Sequence, residues 1–244
     1  MANLKYIFAQ PEYIDGIDKD NPIEIYPVRL KDYDKFNEVS QLLRISKQHF
    51  QDNEYPLLLL ILMCMEQLQL TQEELIKKLE DTFSIVTRKK VNFVSSNEHE
   101  GFLIEDGTII TTQNYELIRE MILRQNLIFE QKVYKNKVVQ EWADRVLESR
   151  NKNSSNITIE DFITTVSVYK GKNYEELMEY SIYQIYADFY RIRKMKKYDT
   201  DILFTSVGAE MTIEDFAEEL NMFKSPYDDL FVSSDKLNKF NQVI

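Results

Sequence analysis

The clearest periodicity in the chain runs from Tyr174 to Lys197, where Tyr174, Leu177, Met178, Ser181, Ile182, Ile185, Phe189 and Ile192 recur at spacings of three and four. That spacing predicts one helix with a single apolar stripe, and it turns Glu175, Glu179, Gln184, Asp188 and Arg191 away from it. The first turns are acidic and the last are basic (Arg191, Arg193, Lys194, Lys196, Lys197), as the helix dipole favours. Tyr198-Asp-Thr-Asp201 is expected to break it. The same period predicts a helix from Lys31 with Tyr33, Phe36, Val39, Leu42 and Leu43 on its inner face, and another from Pro56 to about Leu70. Thr71 followed by Glu74 is a capping-box pattern and opens a helix to about Ile85. Helical spacing returns at Tyr115 and continues through Leu147 with a break near Asn126. Thr158 caps a further helix, which Gly171 ends.

Two regions change period. Ile23 to Leu30 alternates and reads as a strand that Pro27 breaks or confines to an edge. Leu4, Tyr6, Ile7 and Phe8 form a short apolar start, read as a strand followed by a loop. Between Lys90 and Thr112, Val91, Phe93, Phe102, Ile104, Thr108 and Ile110 alternate around Asp106-Gly107, the strongest local hairpin signal available. The expected fold is therefore mainly α within the α+β class: a helical bundle, a short N-terminal strand, and a small antiparallel β-hairpin element around residues 91–111. Asn151 to Asn156 (NKNSSN) is the clearest linker. It divides a region 1–150, carrying the hairpin 101–111, from a helical segment 157–244 with an acidic end.

Composition agrees with a helical reading. Five Gly and five Pro in 244 residues are too few for a sandwich or barrel with its many tight turns. A net charge of -11 excludes a general coating of nucleic acid, which wants a Lys/Arg footprint. From Asp199 onward ten acids face three lysines, read as a solvated, solubilising surface. Cys64 is the single cysteine, so neither a disulfide framework nor a thiolate cluster is available. It sits in the apolar run Leu57–Met65, which is too short to span a bilayer. The start MANLKYIFAQPEY has no signal-peptide pattern, and a cytoplasmic protein is expected.

No catalytic constellation emerges. His49 and His99 stand apart, and Glu98 and Glu100 beside His99 would point to opposite faces of a strand, so no metal site is expected. Glu105-Asp106 before Gly107 is turn chemistry. Ser181 and Ser206 lack the Gly-x-Ser-x-Gly context. A non-enzymatic protein without cofactor is the expectation. Thr212-Ile-Glu-Asp-Phe216 repeats Thr158-Ile-Glu-Asp-Phe162, the same helix-capping solution used twice. Residues 212–230 also fit a helix-turn-helix template, whose reading helix would present Asp228 and Asp229 to phosphates against Lys224 alone. That balance makes a two-helix packing unit the preferred reading, and nucleic acid an unlikely partner. The long helix carries more tyrosine than one buried stripe needs. Tyr183, Tyr186 and Tyr190 are the candidate partner-binding residues, against the plainer alternative of a wide core face between helical layers.

Two stretches, Ile23 to Phe36 (IEIYPVRLKDYDKF) and the helical block Thr158 to Leu220, resemble tail assembly chaperones of long-tailed bacteriophages. Together they cover about a third of the chain; the hairpin around Asp106-Gly107 has no counterpart in that pattern. The resemblance implies a non-enzymatic protein of the host cytoplasm that binds a long, helical, tape-measure-type partner during tail assembly. It carries over no catalytic or ligand residue. Two other readings remain open: an acidic phage-encoded inhibitor of a host defence protein, and a DNA-binding regulator using residues 212–230.

Overall fold

The computed structural model describes residues 4–15, 21–50, 54–63, 69–95, 100–130, 132–153, 157–228 and 230. Cys64, Glu98, His99 and Asp229 lie outside them, as do residues 154–156 of the expected linker.

The fold is mainly helical with two small antiparallel sheets, as its turn-poor composition implies. Tyr6 anchors a one-turn helix, α1 (Leu4–Ile7), where a strand was expected. The first strand is instead β1 (Glu12–Ile14), which pairs with β2 (Ile23–Ile25) in the register Glu12–Ile25, Tyr13–Glu24 and Ile14–Ile23. Pro27 follows β2 and keeps that strand short. A 3-10 turn leads into α2 (Tyr33–Val39), and a second one buries Leu42 and Leu43. Pro56 precedes α3 (Leu57–Met63).

At α4 (Gln72–Thr87) the expected capping box forms: the Thr71 hydroxyl accepts from Glu74 N at 3.2 Å, and Glu74 accepts from Thr71 N at 2.8 Å. Three strands follow, β3 (Val91–Ser95), β4 (Glu100–Ile104) and β5 (Ile109–Ile110), in the sheet order β3-β4-β5. Between β4 and β5 the Asp106 carboxylate accepts from Thr108 N at 2.9 Å, and Gly107 takes φ +89°. Helix α5 (Tyr115–Gln125) ends at Asn126, where the break was expected, and α6 (Lys137–Asn153) resumes the helical period.

A first hydrophobic cluster joins Phe36, Leu79, Phe83, Phe102, Tyr115 and Ile122 with both sheets. Buried polar groups knit the centre of this layer. The Asn126 side chain accepts from Val28 N at 3.0 Å and donates to Ile122 O at 2.8 Å, while Gln125 donates to Ile25 O at 3.0 Å.

The second half begins with α7 (Ile159–Lys170). Its Thr158–Asp161 capping box forms, and Gly171 closes it in the left-handed region at φ +64°. Phe162, Val166, Leu177, Ile185, Phe189 and Ile192 make the second cluster.

The segment predicted as one helix from Tyr174 to Lys197 is two. Helix α8 (Tyr174–Leu177) stops, Ser181 turns extended, and α9 (Ile182–Ser206) starts from a new capping box between Ser181 and Gln184. The interruption is tertiary in origin. Leu30 N donates to Tyr180 O at 2.9 Å, Lys31 N to Met178 O at 3.1 Å, and Ile182 N to Val28 O, so the chain after β2 takes up the groups that a continuous helix would have used internally. Tyr174 and Met178, placed on the stripe by spacing, are exposed as a result.

The expected break at Tyr198–Asp201 does not occur either. Lys197 pairs with Asp201 at 2.9 Å one turn on, Thr200 bonds back to Lys196 O, and α9 continues to Ser206, with Gly208 at φ +96° just beyond it. Ala209 N closes this end on Phe204 O at 3.1 Å.

Residues 212–228 contain no helix, which removes the helix-turn-helix reading. A ten-residue amphipathic run ahead of Asn221 and Pro226 is too short to hold helical form alone. Phe216 lies edge-on against Tyr198 of α9 instead, and Ile213 stays exposed.

Candidate interaction surface

Helix α9 is the element shared by both clusters. Ile182 belongs to the first, Ile185, Phe189 and Ile192 to the second, and Tyr186 packs against both. Two segments distant in sequence lie over its flank. Helix α1 docks through Gln184, whose amide donates to Ile7 O at 2.8 Å, and through Tyr6, whose ring lies 5.4 Å from that of Tyr183. The stretch after α9 returns along it as an irregular strap. Phe216 stacks edge-on against Tyr198 at 5.2 Å, Arg191 donates to the carbonyls of Phe216 and Glu218, and Lys194 meets the Glu218 carboxylate at 3.1 Å. Further on, Phe223 lies 5.2 Å from Tyr6 and 5.8 Å from Tyr183, and Arg150 of α6 donates to Pro226 O at 3.1 Å.

The three candidate tyrosines therefore sit in different surroundings. Tyr183 is 7% exposed, clasped between Tyr6 and Phe223. Tyr186 is half-buried with its ring 4.6 Å from Phe162, and burial, then the neighbouring Tyr33 and Tyr190 phenols, pushes its pKa up to about 12. Tyr190 is half-buried, 6.3 Å from Tyr186 and 6.2 Å from Phe162. All three line gaps left beneath the strap. One of about 320 Å³ lies between Tyr183, Arg191, Leu220 and Phe223, and one of about 270 Å³ between Tyr186, Tyr190, Leu220 and Met222. Both are clefts partly open to solvent.

The outer end of α9 does not show in the apolar spacing. Beyond the buried Asp201, Ile202, Leu203, Phe204 and Val207 are all exposed, Leu203 at 63% and Val207 at 75%. Consecutive apolar residues cannot share one helical face, so no single neighbouring element could cover them all. The signal in the sequence was the run Ile202-Leu203-Phe204, hidden by the expectation that the helix had already ended.

The remaining candidates have ordinary roles. Ser181 is a helix N-cap and Ser206 bonds to Leu203 O in the last turn of α9. His49 contacts Ser46 at 3.1 Å in a 3-10 turn. Glu105 and Asp106 serve the hairpin, where Lys89 Nζ reaches Asp106 at 2.7 Å. Among the described residues no three His, Cys, Asp or Glu side chains gather as metal ligands, and no helix is long and apolar enough to cross a membrane.

Fold and surface together define a mainly helical α+β protein in which one long helix ties two hydrophobic clusters and carries an aromatic face under an irregular strap. The family model for the YomV second domain matches residues 150–221, the stretch from the end of α6 through α9 into the strap. The SPbeta prophage-derived protein YomV of Bacillus subtilis (strain 168) is 26% identical over 215 residues, covering 82% of this chain and 84% of that protein. No solved structure matches. These similarities associate the chain with phage-derived proteins; they carry neither an activity nor a partner.

Proposed function

We propose that the chain is a non-enzymatic, phage-encoded assembly chaperone-like protein that holds a long amphipathic helical partner, of the tape-measure type, against α9. One observation carries the reading. The aromatic face of α9 lies beneath an irregular strap, and the helix runs on into an exposed apolar end. The strap contains no regular helix or strand, and its ion pairs are exposed, where each is worth between zero and about 1 kcal/mol. A partner helix bringing Leu or Phe at spacings of three and four would fill the gaps beside Tyr183, Tyr186 and Tyr190, then continue over Phe204 and Val207. The -11 net charge keeps such a complex dispersed.

Co-expression with the long helical tail protein of the same phage tests this. A soluble complex is expected where that protein alone pellets, and Leu203→Glu with Phe204→Glu is expected to return it to the pellet. A partner that remains in the pellet beside wild-type chain, or stays soluble beside the double variant, refutes the reading.

A further inference from the structure

A second feature lies away from the aromatic face of α9 and is independent of the chaperone reading. At the end of α4 a cleft of about 510 Å³ is lined by six cations, Arg29, Lys35, Lys77, Arg88, Lys89 and Lys90, against the three carboxylates of Asp32, Glu80 and Asp81. Such a surplus is unexpected in a chain of net charge -11.

The carboxylates are already engaged. Asp81 serves both Lys35 and Lys77 at 3.2 Å, Asp32 lies 3.5 Å from Arg29, and Glu80 accepts from Phe93 N at 2.8 Å. Lys89 is held by Asp106, and Arg29 also reaches Glu179. Arg88 and Lys90 have no carboxylate partner among the described residues. The Arg88 guanidinium lies over the Tyr26 ring at 4.2 Å. Partial desolvation and then the Arg29 charge push its pKa below the ordinary value, against the raising effect of Tyr26, Asp32 and Glu179. The Nε of Arg29 makes no hydrogen bond, but it faces the Asp32 carboxylate at 3.5 Å. The dipole at the α4 C-terminus does not account for the group, since it amounts to about half a charge.

We propose that this cleft binds an oligophosphate, the anionic group of a small phosphorylated molecule of nucleoside di- or triphosphate size. The volume falls in the range of small-ligand sites. Arg88 offers paired, planar N–H donors that match phosphate oxygens, and a phosphate beside it relieves its repulsion with Arg29.

Arg88 has φ +58°, a left-handed conformation that Asn also tolerates, so Arg88→Asn removes the charge without backbone strain. Tripolyphosphate titrated into the full chain at low ionic strength, followed by calorimetry, is the first arm. Saturable binding is expected, weakened at least tenfold in Arg88→Asn/Lys90→Gln and unchanged in the remote Lys172→Gln. A thermal melt of each variant, matching wild type, excludes unfolding as the cause. ATP and inorganic phosphate form the second arm and identify the source: binding of ATP at least as tight as tripolyphosphate indicates a nucleotide, and a preference for inorganic phosphate overturns the oligophosphate assignment. No saturable binding, equal binding in the double variant, or an equal loss in Lys172→Gln overturns the proposal.

Discussion

Replacing Phe223 by alanine should free the strap and leave the body folded. Its ring touches Tyr6 and Tyr183 and is half-buried. Truncating a fully buried Phe costs about 3–5 kcal/mol, so a half-covered one loses about 2 kcal/mol. The rest of the strap near α9 is held by Phe216 against Tyr198, by exposed ion pairs and by Arg191 on two carbonyls, which Phe223→Ala leaves in place. A 2 kcal/mol change shifts a local opening equilibrium about 30-fold. Hydrogen exchange by mass spectrometry reads it directly. The strap amides of Glu218, Met222 and Asp228 bond only within their own turns, and they should exchange about 30-fold faster if exchange is gated by this opening. The amides of α9 from Tyr186 to Ile192 should keep wild-type rates. Equal acceleration in α9 would show the strap to be part of one cooperative core, and unchanged strap rates would show that Phe223 does not hold it.

Ser181→Ala removes the N-cap of α9 at a fully buried position and should cost about 1–2 kcal/mol in urea unfolding. At Gly101 a Cβ would run into the Ile110 carbonyl of the neighbouring strand, so Gly101→Ala should destabilise the β3–β5 sheet by more than about 2 kcal/mol, seen as a lowered melting temperature. Burial opposes ionisation of Asp106, but its bonds to Lys89 and Thr108 outweigh that and hold its pKa below the ordinary value. Such a group stabilises the fold above its unfolded pKa and loses that contribution as pH falls through the folded one; hairpin exchange rates should therefore rise below about pH 4 in wild type, and rise less in Asp106→Asn. Tyr6 and Tyr186 are pushed up to about 12, chiefly by burial. Their contribution is complete below the unfolded tyrosine pKa and fades as pH rises through the folded values, so alkaline difference absorbance should show phenols that titrate late, with stability falling from about pH 10 to 12.

Local rules made most of the fold legible. Thr71-x-x-Glu74, Thr158-x-x-Asp161, Asp106-Gly107 and Gly171 each encode a boundary through groups within a few residues, and each forms. The errors came where a distant segment decided. Ser181-x-x-Gln184 is itself a capping box, but inside an unbroken apolar stripe only the docking of Val28, Leu30 and Lys31 turns it into a helix start. Thr212–Phe216 matches Thr158–Phe162 letter for letter and still forms no helix. Phe162 has a cluster to enter, while Phe216 has the flank of Tyr198. The cationic cleft was equally hidden. Arg29, Lys35 and the Arg88-Lys89-Lys90 run meet only after α2, α4 and β3 have packed. The candidate tyrosines were visible as a surplus, but their cover was not, because Tyr6 and Phe223 come from opposite ends of the chain.

Hydrogen exchange of the full chain with and without its helical tail partner tests the central claim most directly. The account predicts that residues 183–190 and 202–207 gain protection on binding while the strap 214–228 loses it. Unchanged exchange across α9, with protection gained elsewhere, would contradict it.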